Sequence, residues 1–162
     1  MEPTTLRSPT PGVIQLKKIL VPVDFSDPSS QAVRYAVSLA QHFGSEITLV
    51  HIVQKTSVAP FPEVPPYVDH VEADFENAER ALQTLAAQQT PKSSAIQTVM
   101  RTGPAAHEIV ETARDLDSDL IVIATHGYTG WKHLCIGSTA ERVVRTAPCP
   151  VFVLREKQHE LF

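Results

Sequence analysis

Asp119-Leu-Ile-Val-Ile-Ala-Thr-His-Gly-Tyr-Thr-Gly-Trp-Lys-His-Leu-Cys-Ile-Gly-Ser-Thr139 is the stretch on which the reading of this chain turns. An apolar run, Leu120 to Ala124, breaks into a loop that holds Gly127 and Gly130, and Gly137-Ser138-Thr139 then opens an amphipathic segment. The chain has 6 glycines, and Gly127, Gly130 and Gly137 all fall in this window. Glycine lets a backbone approach a ligand closely or take positive φ. A Gly-Ser-Thr step at a helix start turns unpaired N–H groups and hydroxyls toward an anion. Strand, glycine loop and helix N-terminus in that order form a backbone cradle for phosphate.

Outward from this stretch the same rhythm repeats. Lys18 to Val23 reads as a short apolar strand, and Ser26-Asp27-Pro28 joins a capping side chain to a proline in the first turn of a helix. Ala32, Val33, Ala36, Val37, Ala40 and Phe43 recur on one face of that helix, and Gly44 stands where a C′ glycine ends it. Glu46 to Val53 is the second strand. Residues 54–67, with four prolines, are too long and proline-rich for a routine connection and read as a lid, a partner surface or a tolerated surface excursion. A helix follows from about Tyr67 to Gln89, with Val68, Val71, Phe75, Ala78, Leu82 and Leu85 on its buried face. Ala95 to Arg101 is strand three, Pro104 to Asp115 helix three and Leu120 to Ala124 strand four. Helix four spans Ser138 to Thr146; Pro148 and Pro150 break it before the fifth strand, Val151 to Leu154.

Five apolar strands alternating with four helices specify an α/β domain: an open parallel sheet with helices on both faces, Rossmann-like and of the nucleotide-binding variety. The domain is expected over residues 17–155, with a flexible proline-dotted leader at 1–16 and a tail at 156–162. Ligands of open α/β sheets bind at the C-terminal strand ends, where strand order reverses. Asp24 ends strand one and the glycine loop leaves strand four, so the two elements are expected to meet at that point.

Composition bounds the function. With 43% apolar and 20% charged residues the chain reads as a soluble globular protein. A net charge of −4 with scattered Lys and Arg argues against a nucleic-acid or anionic-membrane surface, so a phosphate has to be held by oriented amides. No run approaches membrane-spanning length and the first 16 residues lack a signal-peptide core, which makes the cytoplasm the expected location. Cys135 and Cys149 have no metal-ligand or CxxC spacing and read as buried or boundary thiols.

These residues together resemble the universal stress protein family over about residues 17–155. The resemblance rests on Lys18-Ile-Leu-Val-Pro-Val-Asp-Phe-Ser26, Ile47-Thr-Leu-Val-His-Ile52 and Arg101-Thr-Gly-Pro104. It rests most on Ala124-Thr-His-Gly127 through Gly137-Ser138-Thr-Ala-Glu-Arg142 to Ala147-Pro-Cys-Pro-Val151. ATP-binding members carry Gly-x2-Gly-x9-Gly-[Ser/Thr] after strand four, and here the pattern reads Ala124-x2-Gly127-x9-Gly137-Ser138. The first glycine is thus alanine; its methyl fits where φ is negative and otherwise crowds the sugar or α-phosphate.

The resemblance implies that Gly127, Gly137 and Ser138 cradle phosphate, with Thr139 adding an amide or hydroxyl; the plain alternative is a loop and a helix cap. It implies that Asp24 meets the ribose or the adenine amino group, against a local capping role for the same carboxylate. Pro22, Val23 and Ile123 line the adenine slot and Ile52 offers backbone groups to the adenine edge, on the same implication, with core packing beside it. His126 and His133 read as exposed loop residues, with phosphate contact or proton transfer as the other reading; Lys132 reads as a solvated lysine or a phosphate counter-charge, Trp131 as a packing residue rather than a base-stacking one, and Gly130 as a turn. The loop lacks the Gly-Lys-[Ser/Thr] of a Walker A motif.

Three functions of different classes follow. The first is a regulatory protein of the stress response that holds ATP or another adenine nucleotide, with or without Mg, and whose occupancy biases contacts with a protein partner. The second is an enzyme, a slow ATPase or a nucleotidyl-transfer relative, although no carboxylate pair, nucleophile–histidine pair or metal cluster is visible near the site. The third is a nucleotide-free dimeric interaction module, favoured by Ala124. A homodimer through the apolar edge strand 150–154 is expected from that strand's character and from the family's usual pairing.

Overall fold

The computed structural model of the protein describes residues 15–54, 69–89, 96–125 and 137–155. Five strands, β1 (Lys18–Pro22), β2 (Glu46–Val53), β3 (Ile96–Thr102), β4 (Leu120–Ala124) and β5 (Val151–Leu154), form one sheet. The helices are α1 (Asp27–Phe43), α2 (Asp69–Gln89), α3 (Ala105–Asp115) and α4 (Ser138–Thr146). Every strand pairing is parallel and the order is β3-β2-β1-β4-β5. The α/β expectation holds, and the order reverses between β1 and β4.

Alternation along the strands sorts the core into two layers. Ile19, Val21, Ile47, Leu49 and Val122 point to the face covered by α1 and α2, where Ala32, Val33, Ala36 and Leu82 meet them. Leu20, Val50, Ile121 and Ile123 point the other way, against Ile109, Val110 and Ala113 of α3 and Val143 of α4. A sheet apolar on both faces is what continuous runs such as Leu120 to Ala124 require. Among the described residues no helix is long and apolar enough to cross a membrane.

Local chemistry sets the ends of α1. Ser26 is the N-cap, its side chain accepting from the Ser29 N–H, and Gly44 closes the helix in the left-handed conformation at φ 70°. Phe43, expected on the buried stripe, is instead 43% exposed. The stripe stops at Ala40, whose carbonyl accepts from both Gly44 and Ser45 as the chain turns away, leaving Phe43 on the exposed side of the last turn. Helix α3 begins one residue later than expected, with Pro104 as its N-cap, since a residue ahead of the first helical one takes the extended backbone seen at Pro104. Tyr67 and Val68 lie outside the described residues, as does the side chain of Val71.

Asp119 locks the register of β1 against β4 at the end of the sheet away from the strand C-termini. Its Oδ2 accepts from the Lys17 and Lys18 amides at 2.8 and 2.9 Å, and its own N–H donates to the Lys18 carbonyl at 2.9 Å. Those two amide bonds hold its carboxyl below the ordinary carboxylate value. Cys149 is half-buried against the α3/α4 layer; burial first, and the Asp119 charge second, push its thiol up.

Candidate functional site

Where the C-terminal ends of β1 and β4 part, a cavity of about 280 Å³ opens. Its walls come from four places. Pro22, Val23 and Asp24 leave β1; Val50, His51, Ile52 and Gln54 end β2; Ile123, Ala124 and Thr125 end β4. The fourth wall is helical, from Ala105 and Ile109 of α3 and from Gly137 to Ala140 at the start of α4. Nine of the sequence-predicted residues therefore lie around one space: Pro22, Val23, Asp24, Ile52, Ile123, Ala124, Gly137, Ser138 and Thr139. Gly127, Gly130, His126, Trp131, Lys132, His133 and Cys135 lie outside the described residues.

Gly137 owes its place to close approach rather than to positive φ. Its φ is −57°, open to any residue, but a Cβ built on it would sit 2.8 Å from the Thr125 carbonyl oxygen. Its N–H donates to that same oxygen at 2.8 Å, which brings the start of α4 against the end of β4. The first bond of the helix runs from the Glu141 N–H to the Gly137 carbonyl, and no side chain caps the turn. The amides of Ser138, Thr139 and Ala140 therefore precede the helical ladder, and all three residues line the cavity. Such amides, at the positive end of a helix dipole, favour an anion.

Asp24 takes up the local capping role left open for it. Its Oδ1 accepts from the Ser26 N–H at 3.1 Å and from the Ser26 hydroxyl at 2.5 Å, so it braces the α1 cap. The residue also faces the cavity. It is the formally charged side chain among the described lining residues, which include no Lys or Arg. An anion here meets amides and hydroxyls rather than a cationic side chain.

Ala124 is a strand residue paired with Leu154, and its φ is not positive. Its methyl packs toward the α1/α2 layer. Ile52 contributes through its backbone. Val50, two residues earlier, gives its carbonyl to the Val23 N–H, so the N–H and C=O of Ile52 point to the same side, past the end of β1. The Ile52 side chain meanwhile packs on the α3/α4 layer.

Sequence reasoning missed Ser29, Val50, His51, Gln54, Ala105, Ile109, Thr125 and Ala140. Ser29 is buried and donates its hydroxyl to the Ser26 carbonyl. Ala105 and Ile109 stand four apart on one face of α3, a signal that acquires meaning only once the strand order is known. His51 had a signal of its own: it is the one imidazole in the strand Glu46–Val53. Its Nδ1 lies 2.7 Å from the Val23 carbonyl and its ring lies against Phe25, centroids 4.6 Å apart.

The sequence model of the universal stress protein family matches residues 15–155. The chain is 34% identical over 144 residues to universal stress protein MJ0531 of Methanocaldococcus jannaschii, covering 89% of this chain and 85% of that protein. Universal stress protein UspA from Lactobacillus plantarum superposes with a TM-score of 0.76 at 29% identity, over 88% of this chain and 100% of that one. A universal stress protein solved in complex with cAMP shares the fold at TM-score 0.67 and 18% identity, over 89% of this chain and 100% of that one. One from Archaeoglobus fulgidus, in complex with dAMP, does so at 0.63 and 20%, over 86% and 98%. With the family model spanning all nine described secondary-structure elements and a relative at this identity aligned over most of both chains, this chain belongs to the universal stress protein family.

Proposed function

We propose that the chain is a regulatory protein of the cytoplasmic stress response that holds an adenine nucleotide, ATP among them, in the cavity between β1 and β4. The observation that carries this reading is the convergence of three features on one space: the uncapped amides of Ser138 to Ala140, the Asp24 carboxylate and the free-running backbone of Ile52. The amides and the Ser138 hydroxyl suit phosphate. Asp24 suits ribose hydroxyls or an exocyclic amino group, to which a carboxylate is an acceptor. The Ile52 backbone offers an amide donor and a carbonyl acceptor, the pair an adenine edge requires. Val23, Ile109 and Ile123 supply apolar walls for a base. The cAMP and dAMP bound by relatives of the same fold support the class of ligand.

Among the described residues no three His, Cys, Asp or Glu side chains come together to hold a metal. Magnesium enters this reading as the counter-ion of a triphosphate. The reading includes a homodimer through residues 150–154 and a protein partner whose contacts respond to occupancy. In support of the dimer, β5 forms one edge of the sheet and its Phe152 is 40% exposed.

Native mass spectrometry of freshly purified protein should show a mass increment of one nucleotide per chain, and calorimetry on stripped protein should show saturable heat with AMP and ATP. Ser138→Ala should weaken binding by about 1 kcal/mol, the value of one hydrogen bond. Wild-type protein that gives no saturation with millimolar nucleotide would end the proposal.

A further inference from the structure

We propose that His51 is a positioning residue that holds Asp24 at the cavity by gripping the residues on either side of it. The backbone ladder between β1 and β2 runs out just before this point: its last bond takes the Val23 N–H to the Val50 carbonyl at 2.8 Å. The His51 side chain then takes over, with Nδ1 at 2.7 Å from the Val23 carbonyl. A carbonyl only accepts, so Nδ1 carries the hydrogen and donates it.

On the other side of Asp24, Phe25 has φ 63°, a left-handed conformation that aromatic residues adopt only when their surroundings impose it. Phe25 is 36% exposed, so burial in the core does not hold it there. Its ring instead lies on the His51 ring, centroids 4.6 Å apart with 38° between planes. One side chain thus fixes the carbonyl before Asp24 and the ring after it. Asp24, held between them, faces the cavity and receives both hydrogen bonds of Ser26. A half-buried strand position filled for packing alone favours a β-branched residue; the imidazole brings an N–H donor that such residues lack.

The test uses amide hydrogen exchange and nucleotide titration on the wild type, His51→Ala and His51→Ala/Phe25→Gly. In His51→Ala the Ser26 amide, which donates to Asp24, should exchange about tenfold faster, while Ile121 and Thr125 amides of the β4 region keep their rates. Glycine takes left-handed φ freely, so adding Phe25→Gly should recover at least half of that loss. The binding arm rests on the nucleotide reading: AMP affinity should fall in both His51→Ala and Asp24→Asn, and the Asp24→Asn effect should shrink at least threefold in the His51→Ala background. Uniform acceleration across β1, β2 and β4, failure of Phe25→Gly to recover the Ser26 amide, or fully multiplicative affinity losses would each overturn the proposal. If the wild type binds no AMP, the nucleotide reading falls, and the Ser26 exchange rates still decide the role of His51.

Discussion

Replacing Gly137 with alanine puts a methyl carbon 2.8 Å from the Thr125 carbonyl oxygen, where ordinary contact begins at 3.4 Å. The start of α4 and the end of β4 must therefore separate by about 0.6 Å, and the Gly137 N–H bond of 2.8 Å to that oxygen stretches toward the limit of hydrogen bonding. Losing that bond costs about 1 kcal/mol, and alanine at an N-cap in place of glycine about as much again. The backbone itself adds nothing, since φ −57° and ψ 148° suit alanine. A total of about 2 kcal/mol corresponds to a fall of about 4–8 °C in melting temperature for a domain of this size. Moving the first-turn amides of α4 by half an ångström should also weaken ATP binding about tenfold in calorimetry. Gly44→Ala is the control. Gly44 sits at φ 70° with nothing within 4 Å, so alanine there costs about 1–2 kcal/mol through the backbone and leaves affinity alone. A Gly137→Ala protein with wild-type melting and wild-type affinity would refute the reasoning, as would equal affinity losses from both glycines.

Ala124→Gly should leave nucleotide affinity within about twofold and lower stability by about 1 kcal/mol, because the methyl packs on the α1/α2 layer and the strand backbone needs no glycine; a large gain in affinity would show that the methyl obstructs the site. Asp119 has its folded pKa depressed by the Lys17 and Lys18 amides, so its contribution to stability is full above the ordinary value of 3.8 and is lost as pH falls through the depressed folded value. Asp119→Asn should accordingly melt below the wild type at pH 7, with the gap closing only in that acid window; a gap independent of pH down to full protonation contradicts the assignment. Light scattering should give twice the 17.8 kDa chain mass at micromolar concentration, and Phe152→Lys should shift it toward one chain. Phe152 is the site to change because its side chain is exposed, whereas the neighbouring Val153 side chain packs into the α3/α4 layer; a wild-type mass near 17.8 kDa throughout rules out the stable dimer.

Much of the fold is legible in the chain because its signals are local. Ser26 and Gly44 mark the two ends of α1 by side-chain capping and left-handed φ, and both act within a few residues of sequence. The apolar runs of β1 and β4 demand two covered faces, and right-handed crossovers between parallel strands then leave few topologies. The site is less legible because its walls meet only in three dimensions. Ile109 belongs to it through the packing of α3 over the strand ends, and His51 through a bond to a carbonyl 28 residues away. The sequence pattern marks Gly137 as part of a glycine loop before a helix start, yet the reason it must be glycine, the Thr125 carbonyl facing it, is a contact across the β4–α4 connection. Phe43 continues the helical period of α1 but sits in its last turn, past the last buried residue Ala40, where periodicity no longer reports burial.

The most direct test of nucleotide binding at the β1–β4 cavity is an amide NMR titration of the protein with AMP. Nucleotide held there should give saturable shifts concentrated on Ser138, Thr139, Ala140, Asp24 and Ile52, with Lys17, Lys18 and Asp119 at the far end of the sheet unmoved. Saturable shifts centred anywhere else, or none up to millimolar AMP, would contradict it.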